Sequence, residues 1–179
     1  MIARIATMAD VPVLQELIAT SVRGLSAQHY TPAQIEAALV SVFGVDTQLI
    51  ADATYYVIDS PSGPAAAGGW SFRRTLYGGD QMKGGIDSRL DPDTESARIR
   101  AFFVHPRWAR RGLARQLYSA CVRAAIEHGF HTFELMATLP GEPLYAALGF
   151  SARERTSIAL GGGVELPLVR MTRRILQDQ

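Results

Sequence analysis

The chain is nearly devoid of cysteine. Cys121 stands alone among 179 residues, which excludes an intramolecular disulfide and a multi-cysteine zinc site and matches a reducing compartment. An excess of one charge is lacking too. The formal net charge is +1 and charged residues make up 20%, so neither bulk attraction to nucleic acid nor the disorder of a strongly charged polymer is expected. No apolar run approaches the roughly 20 residues that span a bilayer, and the opening Met1-Ile2-Ala3-Arg4-Ile5 is not followed by a leader-like apolar stretch. A cytoplasmic protein with no metal, no membrane and no nucleic acid as partner is expected. Also missing are a Gly-Lys-Ser/Thr phosphate loop, a strand-linked G-x-G-x-x-G fingerprint and any internal repeat. What is present, 47% hydrophobic residues, suffices for the core of one domain over residues 1–179.

The pattern along the chain is mixed. Ile2 to Ala6 reads as a short strand, and Thr7 with Asp10 three residues later as a helix start. Val11, Leu14, Leu17, Ile18 and Val22 give that helix one apolar face. Thr31-Pro32-Ala33-Gln34 is a capping box with proline at the first helical position, opening a second helix that carries Ile35, Ala38, Leu39 and Val42. Tyr55–Ile58 and Ala66–Phe72 flank a turn, Ser60-Pro61-Ser62-Gly63-Pro64, and read as an antiparallel pair. Residues 74–97 form a long glycine- and acid-containing loop, read either as a substrate lid or as a mobile surface loop. Arg98–Val104 is a strand stopped by His105-Pro106. A long amphipathic helix follows from Gly112 to Gly129, then a strand at Thr132–Ala137, a short helix at Pro143–Leu148, and two strands about Gly161-Gly162-Gly163. The order is that of a mixed α/β (α+β) fold of about seven strands flanked by helices.

The segment with most chemistry is a strand, a proline break, an arginine-flanked glycine and a helix start. Unpaired amides and the helix dipole make such a start an anion site. Gly112 permits close backbone approach, Ala114 keeps the first turn small, and Arg107, Arg110, Arg111 and Arg115 add positive charge. A diphosphate suits it.

Val104-His105-Pro106-Arg107-Trp108-Ala109-Arg110-Arg111-Gly112-Leu113-Ala114 resembles motif A of the GCN5-related N-acetyltransferases, and Leu144-Tyr145-Ala146-Ala147-Leu148-Gly149-Phe150 resembles their later Leu-Tyr-x-x-x-Gly-Phe segment. The resemblance implies a mostly antiparallel sheet splayed between its fourth and fifth strands, with acetyl-CoA in the opening as acyl donor. It implies that the backbone of Phe102, Phe103 and Val104 meets the pantetheine arm, and that Arg110, Arg111, Gly112, Leu113, Ala114 and Arg115 hold the pyrophosphate. It also implies that Tyr145 donates a proton to the departing thiolate. The expected reaction is direct attack of a small-molecule or peptide amine on the thioester, without a covalent intermediate. Cys121 is then not required as a nucleophile, and its helical spacing with Leu117 and Ala124 places it in the core.

The chain departs from the family pattern at three positions. Ala109 stands at the first position of the phosphate-loop motif. Thr138 falls where many members have a cofactor-binding asparagine. Arg98 replaces a glutamate that serves as base, and arginine cannot take that role. Glu134, Glu95 and His105 are replacements to be weighed against a water chain or an amine that arrives neutral. Strand alternation sets Arg98 and Arg100 on one side with Phe102, where the two guanidinium groups either receive an acceptor carboxylate or pair with acids of the loop at 80–95. Glu134 neighbours the same cleft. A catalytically silent acyl-CoA sensor is the alternative function, and a homodimer is compatible with all of these readings.

Overall fold

The computed structural model describes residues 1–175. One seven-stranded sheet, ordered β1-β2-β3-β4-β5-β7-β6, organises them. Its strands are β1 (Ala3–Ile5), β2 (Tyr55–Ser60), β3 (Gly63–Ser71), β4 (Ala97–Val104), β5 (Thr132–Thr138), β6 (Ser151–Gly161) and β7 (Val164–Arg174). Every neighbouring pair is antiparallel except β4 and β5. The helices are α1 (Val11–Leu25), α2 (Pro32–Ser41), α3 (Thr47–Ala51), α4 (Leu113–Glu127) and α5 (Glu142–Ala147). None is long and apolar enough to cross a membrane.

The expected faces are found. Leu14, Leu17, Ile18 and Val22 of α1 join Ile35 and Ala38 of α2 over one face of the sheet, while α4 covers the other with Leu113, Leu117 and Cys121. The Thr31 box forms as read: Gln34 N–H donates to Thr31 Oγ1 at 3.2 Å, and Thr31 N–H to Gln34 Oε1 at 2.8 Å. The short helix α3 was not anticipated. Five residues contain too little of the helical period to stand out, and its start depends on Asp46, whose Oδ1 accepts from Gln48 N–H at 3.0 Å.

Two features open the sheet. Parallel pairing of β4 with β5 is confined to Ala97↔Phe133 and Arg98↔Glu134, after which the strands diverge while β5 stays paired with β7 along its whole length. In β4 the ladder to β3 slips between Ala67 and Gly69, and Ala101 has φ +53°. This is a bulge, which bends the strand away from its partner. Gly68 makes room for it, since a Cβ there would lie 2.3 Å from the Phe102 ring. Tyr55 Oη donates to the Ala101 carbonyl at 2.8 Å, satisfying an acceptor that the ladder has released.

The bulge also corrects the strand alternation. Phe102 packs on the α4 face, opposite the side expected from simple alternation, and Phe103 takes the place on the α1–α2 face beside Arg98 and Arg100. One extra residue inverts every side chain beyond it.

The segment between β3 and β4 is tied down. Gly79 N–H donates to the Val42 carbonyl at 2.9 Å and Asp80 N–H to that of Val45 at 3.0 Å. Lys83 pairs with Asp46 at 2.6 Å and Arg73 with Asp52 at 2.6 Å. Arg100 reaches up to the carbonyls of Thr75 (3.2 Å) and Gly78 (2.7 Å). Its residues 76–78 line the opening described next.

Candidate active site

A cavity of about 230 Å³ passes through the sheet where β4 and β5 part. On the α1–α2 face its walls include Val22, Leu25, Phe43, Tyr77, Phe103, Met136 and, opposite Leu168, Thr138; on the α4–α5 face they include Phe102, Ala114, Leu144 and Tyr145. Among the described residues no Asp, Glu, His, Lys or Arg lines it.

Backbone groups face the opening. The His105 amide donates to the Ala65 carbonyl at 2.9 Å, and with Ala67 opposite Phe103 the antiparallel alternation turns the backbone of Phe103 and His105 toward β3. Phe102 and Val104 therefore turn theirs into the splay. Val104 N–H already donates to Ser21 Oγ at 3.2 Å. The expectation that all three residues offer backbone groups is thus narrowed to Phe102 and Val104, and Phe103 contributes its ring.

Beyond β4 the chain makes a short turn at Pro106–Trp108 and enters α4. Ala109 N–H donates to the Pro106 carbonyl at 3.3 Å and Gln116 N–H to the Gly112 carbonyl at 3.0 Å; the amides between them, Arg110 to Arg115, have no backbone acceptor among the described residues. Arg110 (φ +64°) and Gly112 (φ +80°) are left-handed, and alternating handedness turns successive N–H groups toward one point, an anion-binding nest. A Cβ at Gly112 would meet nothing within 4 Å, so the space it opens lies outside the protein. Arg107, Arg110, Arg111 and Arg115 are exposed around the loop, and Arg111 lies over the Trp108 ring at 4.8 Å.

Tyr145 sits at the cavity's α5 rim, 9% exposed, with its ring against Phe102 (6.2 Å between centroids) and Phe150 (5.8 Å). Burial pushes its hydroxyl well above the usual phenol range, which keeps it protonated. Thr138 Oγ1 accepts from Gly141 N–H at 3.2 Å at the end of β5. Cys121 is fully buried on α4, its thiol pushed up by burial, an inert packing residue.

The candidate acceptor residues are arranged differently from the two alternatives read in the sequence. Arg98 Nη1 pairs with Glu134 Oε2 at 2.8 Å, and Glu134 Oε1 receives Arg170 at 3.4 Å. Arg100 is buried and pairs with Asp46 Oδ2 at 2.9 Å, both side chains 1% exposed. Burial lowers the proton affinity of the Arg100 guanidinium and the carboxylate opposes that. The guanidinium groups are therefore spent on a neighbouring strand, on the cap of α3 and on carbonyls of the loop, rather than on the loop's acids or an open cleft. Glu95 lies outside the cavity, held below its usual range by the Asp91 amide and Arg74. His105 Nδ1 accepts from Arg107 N–H at 3.1 Å. No group of three or more His, Cys, Asp or Glu able to hold a metal occurs among the described residues.

Asp46 and the wall residues Phe43 and Tyr77 were missed in the sequence. The Asp46-Thr47 step is a helix-start signal that could have drawn attention to Asp46; nothing local marks the other two.

The family model for acetyltransferases of the GNAT family matches residues 47–150. No curated protein sequence matches the chain at a significant level. Among solved structures, a GCN5-related N-acetyltransferase from Rhodopseudomonas palustris is 19% identical with a TM-score of 0.69, the alignment covering 96% of this chain and 94% of that one. A ribosomal-protein-alanine N-acetyltransferase from Brucella melitensis is 14% identical at TM-score 0.63, covering 97% and 99%. A Salmonella typhimurium protein solved with acetyl-CoA as its cofactor is 17% identical at TM-score 0.60, covering 100% and 96%.

Proposed function

The chain belongs to the acetyltransferase (GNAT) family, and from that premise we propose that it transfers an acetyl group from acetyl-CoA to the primary amine of a small molecule or peptide by direct attack in a ternary complex. The observation that carries this reading is the cavity through the splayed sheet, which joins a donor side under α4 and α5 to an acceptor side under α1 and α2. A thioester in the splay has the nest at residues 110–115 for its diphosphate and the backbone of Phe102 and Val104 for its pantetheine arm. The structure similar in fold that carries acetyl-CoA supports the choice of donor. An N–H turned into the splay polarises the acyl carbonyl where negative charge develops. Tyr145 supplies a proton to the leaving sulfur, and Thr138 shapes the rim beside it.

Acetyl-CoA is expected to stabilise the protein, because a ligand bound by the native state alone raises its stability by mass action. At a hundredfold excess over Kd the melting temperature should rise by about 5–10 °C. No shift at millimolar acetyl-CoA contradicts the donor assignment. Gly112→Val should weaken CoA binding by about 10- to 100-fold, since it obstructs charge-assisted bonds to phosphate. Gly112→Ala carries the left-handed strain without a branched side chain; if titration calorimetry finds the two variants equally weak, strain and not obstruction is responsible.

A second reading, a silent acyl-CoA sensor, is favoured by one observation: Arg98 stands where the resemblance places a catalytic glutamate, and no carboxylate lines the cavity. It predicts CoA binding without turnover of any amine.

A further inference from the structure

Resting on the acyl-transfer reading, we infer that the acceptor is a weakly basic amine on a compact, uncharged, apolar body, an arylamine being the simplest case, and that it reacts without a dedicated protein base.

The acceptor side of the cavity is walled by Val22, Leu25, Phe43, Phe103 and Met136, with hydroxyls at Ser21, Ser26 and Tyr77. Ser21 Oγ already accepts from Val104 N–H. Charged groups next to the cavity lining are held elsewhere: Glu142 at the start of α5 pairs with Arg155 at 2.6 Å, and Arg23 of α1 with Glu36 at 2.8 Å. Tyr77 of the loop and Tyr145 of α5 line it. Tyr55 lies beneath β4, its hydroxyl given to the Ala101 carbonyl. Tyr30 lies under the end of β5, donating to the Pro167 carbonyl at 2.6 Å and accepting from Leu139 N–H at 2.9 Å. Arg100 is held by Asp46, which also holds Lys83, and Glu134 is held by Arg98 and Arg170. His105 sits in the turn after β4, its Nδ1 occupied.

An ammonium ion entering this cavity loses its hydration and gains no counter-charge, which is strongly unfavourable. A carboxylate fares no better. At about pH 7.4 a lysine-like alkylamine is neutral in roughly one molecule in a thousand, because its pKa is about 10.4; an arylamine is neutral throughout the working range. Size agrees as well. A cavity of roughly 150 Å³ suffices for benzene, and the 230 Å³ here spans the donor and acceptor sides together, so the acceptor share has room for no more than a single ring.

The proton balance closes without any base beyond the tyrosinate that the step itself generates. The amine lone pair forms the N–C bond, the C–S bond breaks with its electron pair going to sulfur, and Tyr145 gives its hydroxyl proton to the thiolate. The tyrosinate then recovers a proton from the acylated nitrogen, directly or through water. The net products are the amide and the free CoA thiol.

The test uses p-toluidine, its isomer benzylamine, and 4-aminobenzoate, which replaces the methyl of p-toluidine with a carboxylate. With p-toluidine, kcat/KM should stay within about twofold between about pH 6 and 9, while benzylamine should rise about tenfold per pH unit, tracking its own neutral fraction. 4-Aminobenzoate should be at least about tenfold poorer than p-toluidine, from the desolvation of an unpartnered carboxylate. An inflection shared by p-toluidine and benzylamine reveals a protein base and overturns the inference, as does 4-aminobenzoate matching p-toluidine. Those two outcomes leave acyl transfer standing. Absence of thiol release from any amine at any pH overturns the transfer reading itself.

Discussion

Tyr145→Phe is expected to lower kcat by roughly 10- to 1,000-fold, with acetyl-CoA affinity changed by no more than about twofold. General acid catalysis contributes on the order of 100- to 10,000-fold, and water can replace part of it. The ring makes the packing contacts with Phe102 and Phe150, so phenylalanine retains the wall and removes only the donor. Burial raises the phenol's proton affinity, which alone makes donation harder. The departing thiolate occupies the same apolar cavity, however, and desolvation raises its proton affinity in the same direction. Proton transfer therefore remains matched where both groups are dry. The measurement is single-turnover kinetics with the amine saturating. An unchanged rate with chemistry limiting makes Tyr145 a lining residue only.

Asp46→Ala should destabilise the protein by about 3–5 kcal/mol in equilibrium urea unfolding. Removing one partner of a buried pair leaves the other charge uncompensated, and here both side chains are 1% exposed. The same carboxylate caps α3 and holds Lys83, so the 76–78 wall should also loosen. Hydrogen exchange should rise at Gly79 and Asp80, whose amides donate to Val42 and Val45. Adding Arg100→Met to Asp46→Ala should recover part of the loss, since an apolar side chain of similar volume tolerates the site. A double variant no more stable than Asp46→Ala alone would show that the cap, not the stranded charge, dominates.

Both variants bear on how far the sequence could be read. The turn into α4 was legible because its signals are contiguous: a proline break and a glycine directly before the helix. The apolar faces of α1 and α4 were legible for the same reason, as local periodicity. Phe102 was placed on the wrong face because a bulge is a property of two strands together. It depends on Gly68 yielding space and Tyr55 capturing a carbonyl, and neither can be seen from within β4. The partner of Arg100 escapes both readings, an acceptor carboxylate or an acid of the loop, because Asp46 is 54 residues distant, at the start of a helix too short to be recognised. The loop of residues 74–97 reads as a lid or a mobile surface segment since glycines suggest freedom, and its contacts with Val42, Val45, Asp46 and Arg100 come from segments distant in the sequence. Glu134, a candidate base by sequence, lies between Arg98 and Arg170, a pairing across three strands that no single segment reveals.

The central claim, that the splay is a working acyl-transfer site, is tested most directly by incubating the protein with acetyl-CoA and a panel of amines that includes arylamines, amino acids, polyamines and peptides. Released thiol is followed by absorbance and the N-acetyl product by mass. The account predicts thiol and one acetylated amine in equal amounts, over many turnovers, with both signals falling together in Tyr145→Phe. Acetyl-CoA binding that stabilises the protein while no amine is acetylated would contradict it and identify a sensor.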